Sequence, residues 1–303
     1  MNRLLAAAAG LVVDRLVGEP PHRLHPLRAF GVAMAALERV WWADSRAAGA
    51  GHAATGTALG VAAGAALGST AAATQLAVGG KALWAAAGRV AAALEGGDLG
   101  EARALLPTLA GRDPSGLDEK ELARAVVESV AENTVDAVVA PALWAAAAGA
   151  PGALGYRAVN TLDAMVGHRS ARYSRYGWAS ARLDDAAGWV PARVTAALVA
   201  AVRPRSAGAV LAAVRSQAPA HPSPNAGVAE AAFAAALGVT LGGVNVYGER
   251  VERRPALGDG PPPSAADVAR AVRLSSDVAW ALAAGLGAAA AVSGRRRPGR
   301  GRG

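Results

Sequence analysis

The sequence predicts an all-α fold, a polytopic integral membrane helical bundle whose polar helical and loop segments gather at the cytoplasmic face. Three observations carry this. No run of alternating apolar and polar residues is long enough to argue for a sheet. Three stretches carry no charge: 28 residues from Ala53 to Gly80, twenty from Ala137 to Tyr156 and seventeen from Val278 to Gly294. About 20 residues suffice to cross a bilayer as a helix. These stretches also present small-residue faces such as GVAAGAALGS, the kind that lets membrane helices approach closely. An Ala/Gly-rich soluble bundle would show similar runs, because alanine is only marginally hydrophobic; the combination of runs and small faces favours the membrane.

Residues 1–48 read as a helix, a proline-rich turn at EPPHRLHP and a second helix with Trp41 and Trp42 near an interface. The apolar opening LLAAAAGLVV leads directly into DRLVGEPPHRLHP, so it reads as a retained terminal helix and not as a cleaved signal. Residues 53–94 read as a hydrophobic helical hairpin, or a long span plus a shorter helix, broken around GGK at 79–81. Two weaker span candidates are Trp189 to Val202, interrupted by Arg193, and Ala231 to Gly248, which holds three mid-segment glycines. Water-facing segments are expected near 95–136, 156–189, 215–233 and 249–277, within one polytopic domain over 1–294. Asp118 is placed to cap the helix that begins EKELARAVVESVAE. A basic disordered tail follows at 295–303.

Composition narrows the chemistry. Cysteine is absent, which removes disulfides, thiolate metal sites and cysteine nucleophiles. The formal charge of +8 owes much to five arginines in the last nine residues, RRRPGRGRG. No aromatic residue interleaves with them as a stacking platform for single strands would require, so no nucleic-acid partner is expected. The positive-inside rule puts that tail in the cytoplasm.

The polar segments hold the unusual residues. In VVESVAENTVDAVVAP, Glu128, Glu132 and Asp136 fall four apart, each step drifting only about 40° around a helix, so they form one acidic stripe with Asn133 beside it. Asn160 and Asp163 share a face in NTLDAMVGHR, and His168 follows. Asp184 and Asp185 are adjacent near Arg182, and HPSPNAG offers His221, Ser223 and Asn225 from a stiff loop. Each has a plain structural reading: Asp184 caps a helix, Asn160 ties two helices, His221 bonds within its loop, the stripe pairs with arginines. As a set, acids at membrane boundaries mark function. Oxygen donors without thiols suit Mg²⁺, which binds through one or two carboxylates plus phosphates. The phosphate-loop pattern GxxxxGK[ST] is missing, since Gln75 stands where its first glycine would be before Gly80 and Lys81, and GxGxxG and HExxH are missing too.

Taken in order, DRLVGEPPHRLHPLRAFG, ESVAENTVDAVVAP, YRAVNTLDAMVGHR, YGWASARLDD with PARVTA, and HPSPNAG with ALGVTLGG closely resemble the cobalamin-biosynthesis CobD/CbiB family, the adenosylcobinamide-phosphate synthases, from about residue 11 to 260. The resemblance implies a polytopic enzyme of the cell membrane with a cytoplasmic active site. It also implies ATP-dependent ligation of (R)-1-aminopropan-2-ol, or its O-phosphate, to a carboxylate of the corrinoid adenosylcobyric acid. ATP and Mg²⁺ are the implied cofactors, and membrane lipid the surroundings; the oligomeric state stays open. Glu128, Glu132, Asn133, Asp136, Asn160, Asp163, His168, Asp184, Asp185 and His221 fall in matched motifs as catalytic candidates. Among them Glu132, Asp136 and Asp185 are the metal candidates, and His168 or His221 the base. Arg172, Arg182, Ser223 and Asn225 are assigned to substrate, the two arginines to phosphate. Ala137 departs from the family, which more often has glycine there. A non-catalytic membrane regulator of the same family and a small-solute transporter are the competing readings.

Overall fold

Most helix boundaries follow from local side-chain chemistry. The computed structural model describes residues 2–20, 25–168, 170–247 and 250–295, and among them are twelve α-helices and one β-hairpin. The chain divides into two compact units: residues 1–78, 141–184 and 280–303 form one, and 79–140 with 185–279 the other.

In the first unit Asn2 caps α1 (Arg3–Leu16), accepting from the Leu4 N–H at 2.9 Å. His25 caps α2 (Pro26–Trp41), with Pro26 at the first helical position where a missing N–H is harmless. Ser45 caps α3 (Arg46–Leu67), which stops at left-handed Gly68, and Ser69 caps α4 (Thr70–Ala77). The small-residue face is real: Gly56, Gly60 and Gly64 of α3 are buried against residues 150–162 of α8 (Ala140–Leu162). A Cβ at Gly60 would stand 2.7 Å from the Leu154 carbonyl oxygen. Gly60→Val is therefore expected to destabilise by about 1–3 kcal/mol through overpacking, read as a lower melting temperature in detergent. Helix α8 is itself broken at Gly149 (φ 71°, ψ −153°) just before Pro151, and Arg3 donates to the Ala147 carbonyl freed there.

The second unit begins with α5 (Gly80–Glu95) and α6 (Leu99–Leu105). The expected Asp118 cap at α7 (Glu119–Thr134) is present as a full capping box with Glu121. Helix α9 (Trp178–Val202) starts in the first unit and continues in the second, followed by α10 (Ala207–Ser216) and α11 (Ala226–Leu237). Then comes a feature absent from the sequence expectation, an antiparallel hairpin of β1 (Leu241–Tyr247) and β2 (Arg250–Leu257). It corrects the all-α assignment. Its first strand, LGGVNVY, opens with two glycines at φ 89° and 96° that make a bulge, so the regular alternation that advertises a strand is interrupted. The last helix is α12 (Ala265–Arg295).

Three helical stretches are long and apolar enough to cross a membrane: Glu119–Gly167, Trp178–Val202 and Ala265–Gly294. They contain the predicted runs at 137–156 and 278–294 and the weaker one at 189–202. The longest predicted run, 53–80, is not one of them, because the Gly68–Ser69 break divides it and the glycines of α3 dilute its hydropathy. The expected span at 231–248 also fails: α11 ends at Leu237 and the chain turns into β1. The basic tail beyond 295, and His22 of the proline-rich turn, lie outside the described residues.

Candidate active site

The acidic stripe resolves into three residues with different surroundings. Glu128 is buried, and both its oxygens are engaged. One accepts from Arg112 Nη2 at 2.5 Å; the other accepts from Arg124 Nη1 at 3.1 Å and from the Gly242 N–H at 2.8 Å. The same arginines continue to β1, Arg112 to Asn245 Oδ1 (2.9 Å) and Arg124 to the Val244 carbonyl (2.9 Å). A buried carboxylate needs such neutralisation. Here it fastens the hairpin onto α7, and Gly242 is glycine because a side chain there would meet the Pro255 carbonyl. Glu128 was expected among the catalytic residues; here both its oxygens are engaged in joining Arg112, Arg124 and the hairpin.

One helical step on, Glu132 is exposed, yet it lies deep enough to feel the charges of Arg254, Arg112 and Glu128. It is the accessible carboxylate of the stripe. Asn133 turns back along the helix, donating to the Ser129 carbonyl at 2.9 Å. Asp136 then falls in a π-helical turn, Val135–Val139, and is half-buried. A π turn inserts one residue into the helical register, so the simple four-residue stripe does not continue straight to Asp136. A second π turn, Asp163–Gly167, holds Asp163, whose carboxylate packs onto the Gly167 backbone where any side chain would collide. Such turns recur at functional sites.

The HPSPNAG loop braces itself. His221 Nδ1 lies 3.1 Å from the Ser223 N–H and 3.2 Å from its carbonyl, as the plain reading anticipated. Ser223 Oγ accepts from the Ala226 N–H at 3.1 Å, capping the start of α11. Asn225 donates to the Asp185 carbonyl at 2.9 Å and accepts from Arg193 at 3.2 Å, over Gly188, which is bare to admit it. With a side chain only 1% exposed, His221 does not present itself to a substrate.

In the first unit Asn160 ties two helices, donating to Asp184 Oδ1 at 3.3 Å, and Arg157 donates to Asn160 at 3.2 Å. Asp184 stands inside α9, beyond its first turn. His168 is exposed at the end of the π turn, edge-on to Tyr173 at 4.8 Å. Arg172, expected on phosphate, instead pairs with Glu38 at 3.0 Å and stacks on Trp42 at 4.6 Å, and the Glu38 contact holds its guanidinium above the usual range. Arg182 is exposed. Of the predicted site residues, the second unit holds Glu128, Glu132, Asn133, Asp136, Asp185, His221, Ser223 and Asn225. The first holds Asn160, Asp163, His168, Arg172, Arg182 and Asp184.

Sequence reasoning missed Arg112, Arg124, Glu230 and Arg254. Arg124 had a signal, four residues ahead of Glu128 on one helix. Glu230 had one too, as the single charge in AGVAEAAFAAAL. Arg112 and Arg254 had none, since only folding brings Arg112 to Glu128 and Arg254 to Glu230.

Glu132, Asp136 and Asp185 were expected to hold a metal. Among the described residues no three His, Asp or Glu side chains gather as a closed metal cage. A hard cation that arrives on phosphate needs only one or two carboxylates from the protein, and of the three Glu132 is the exposed one.

A profile of the CobD/Cbib protein family matches residues 7–275. The chain belongs to the CobD/Cbib family. Relatives named cobalamin biosynthesis protein CobD include one from Mycobacterium tuberculosis (strain ATCC 25618 / H37Rv), 48% identical over 288 residues that cover 90% of this chain and 91% of the relative. Another, from Chromobacterium violaceum, is 42% identical over 309 residues, covering 96% and 98%. A third, from Stutzerimonas stutzeri, is 42% identical over 297 residues, covering 93% and 94%. No solved structure matches. The CobD/Cbib match takes in α7, both π turns, the HPSPNAG loop and the hairpin.

Proposed function

We propose that the protein is a multi-pass membrane enzyme of cobalamin biosynthesis that joins (R)-1-aminopropan-2-ol, or its O-phosphate, to the carboxylate of adenosylcobyric acid. The observation that carries this reading is Glu132, an accessible carboxylate beside a buried acid-arginine node, on a helix long and apolar enough to cross a membrane. Ionisable groups in such segments are retained for function, and the relatives' names supply the pathway. A carboxylate is inert to amines at neutral pH; ATP with Mg²⁺ supplies its activation by phosphorylation. Glu132 would hold the cation together with the phosphate oxygens that bring it. Arg112 and Arg124, fixed by Glu128, lend positive potential where phosphoryl charge builds. Of the two histidines expected as base, His168 is exposed and His221 is enclosed.

The break at Gly149 is the feature that favours a transport reading, since transporters bind at discontinuous helices. The acids at 128, 132, 136 and 163 lie away from it along the chain, which favours the enzyme. The deciding experiment is incubation of the purified protein with adenosylcobyric acid, each amine, ATP and Mg²⁺, with mass spectrometry for the amide. Product dependent on all four components is expected; its absence from folded protein with either amine would sink the ligase reading.

Membrane residence draws on the tryptophans. Six of the seven, all among the described residues, keep more than a third of their surface, and only Trp84 is buried. Trp178 opens a candidate span with Arg46 over its ring at 5.6 Å, and Trp42 lies under Arg172, the aromatic and basic pairing typical of the lipid-water interface. In bilayers the tryptophan fluorescence is expected to be largely quenched by brominated lipid; emission that stays unquenched would contradict the placement.

A further inference from the structure

Glu230 is fully buried in α11, a helix of otherwise uncharged residues. Its Oε1 lies 3.5 Å from Arg254 Nη1, while its Oε2 makes no hydrogen bond. Facing that oxygen at 3.8 Å is His221 Nε2, which likewise makes none, and the two side chains are 0% and 1% exposed. An unsatisfied buried polar atom costs about 1–3 kcal/mol, and here two stand opposite each other. A separation of 3.8 Å is just beyond hydrogen-bond length, so a small shift makes or breaks the contact. Gly227 lies flush against the His221 Cβ and limits where the ring can go. At its other nitrogen, His221 Nδ1 is within reach of both backbone groups of Ser223.

We propose that Glu230 is a positioning residue that holds a proton against His221, and so decides which backbone group of Ser223 the imidazole ties and how the loop carrying Asn225 is set. The proton count is explicit. With two protons on the pair, Glu230 O–H faces the Nε2 lone pair and Nδ1–H donates to the Ser223 carbonyl. With one, the proton sits on Nε2 and points at the Glu230 carboxylate, leaving Nδ1 to accept from the Ser223 N–H. Loss of one proton to solvent therefore exchanges the carbonyl for the N–H. Asn225, two residues on, carries the change to Asp185 and Arg193 through its own two hydrogen bonds.

The surroundings favour the two-proton form. Burial, with the charges of Glu128 and Glu132 on α7, pushes the Glu230 carboxyl well above its usual range against the pull of Arg254 on β2 and Arg112 ahead of α7. Burial likewise pushes the His221 imidazole down, joined by Arg254 and opposed by the Ser223 backbone and by Glu128 and Glu252. Both displacements act the same way, toward a protonated acid beside a neutral ring.

The importance of this pair for turnover rests on the ligase reading, but its test does not require activity. The full chain, labelled with ¹⁵N-histidine and held in lipid nanodiscs, is followed by NMR across pH, with His221→Gln assigning the signal. Expected is an Nδ1–H tautomer near neutral pH that converts to Nε2–H as pH rises. In Glu230→Gln, whose amide imitates the protonated acid, the conversion is lost. Wild-type protein already in the Nε2–H form at neutral pH, or a tautomer that responds to pH identically in both proteins, overturns the proposal. Should Glu230→Gln fail to fold, Glu230→Asp, which withdraws the carboxyl, is expected to shift the midpoint of conversion; an unshifted midpoint overturns it equally.

Discussion

Glu128→Ala is expected to destabilise the second unit by about 3–5 kcal/mol, since it leaves the buried Arg112 and the nearly buried Arg124 facing one another without their carboxylate. The Gly242 N–H would lose its acceptor as well, loosening the hairpin from α7. Glu128→Gln keeps the shape and an acceptor oxygen but not the charge, so a smaller loss is expected. Removing the whole node, with Glu128→Leu, Arg112→Met and Arg124→Met together, should recover much of the stability, because paired burial of charge is often no better than apolar packing. Thermal melting in detergent or nanodiscs reads all three. A Glu128→Ala protein that melts with the wild type would show that the node is not what holds hairpin to helix.

Glu132→Gln should do the opposite, leaving the fold intact and removing activity. The side chain is exposed, so its amide loses little packing. The charge it takes away is the one proposed to hold a cation on phosphate, and loss of such stabilisation costs on the order of 10²-fold in kcat or more. The Mg²⁺ concentration for half-maximal rate is expected to rise at the same time. Unaltered turnover and Mg²⁺ dependence, in protein that melts normally, would remove Glu132 from the reaction. The contrast between neighbours on one helix face is the useful part: Glu128 changes stability, Glu132 changes rate.

The helical character, the Asp118 cap and two of the three strong spans were legible because they depend on near-neighbour spacing and on runs of composition. The role of α3 was half legible. Its glycines were recognised as a close-packing face, but the break at Gly68 depends on a single left-handed residue that glycine permits anywhere and requires only here. The hairpin was not legible, since Gly242 and Gly243 interrupt its alternation and its strands are held by packing of β1 on α7 and of β2 on α11. The motif ALGVTLGG did contain Gly242, although nothing in the motif says that its N–H serves Glu128.

By itself the sequence determined that its clustered acids and polar groups come without thiols and flank apolar helices. These are properties of composition and of spacing along one helix, where 1.5 Å of rise and 100° of turn per residue do the geometry. Only the tertiary structure decided what surrounds each acid. Whether a carboxylate is saturated like Glu128, accessible like Glu132, or enclosed opposite an imidazole like Glu230 depends on donors from elsewhere in the chain, Arg112, Gly242, Arg254 and His221. Their approach is set by packing of distant segments, which no local pattern encodes.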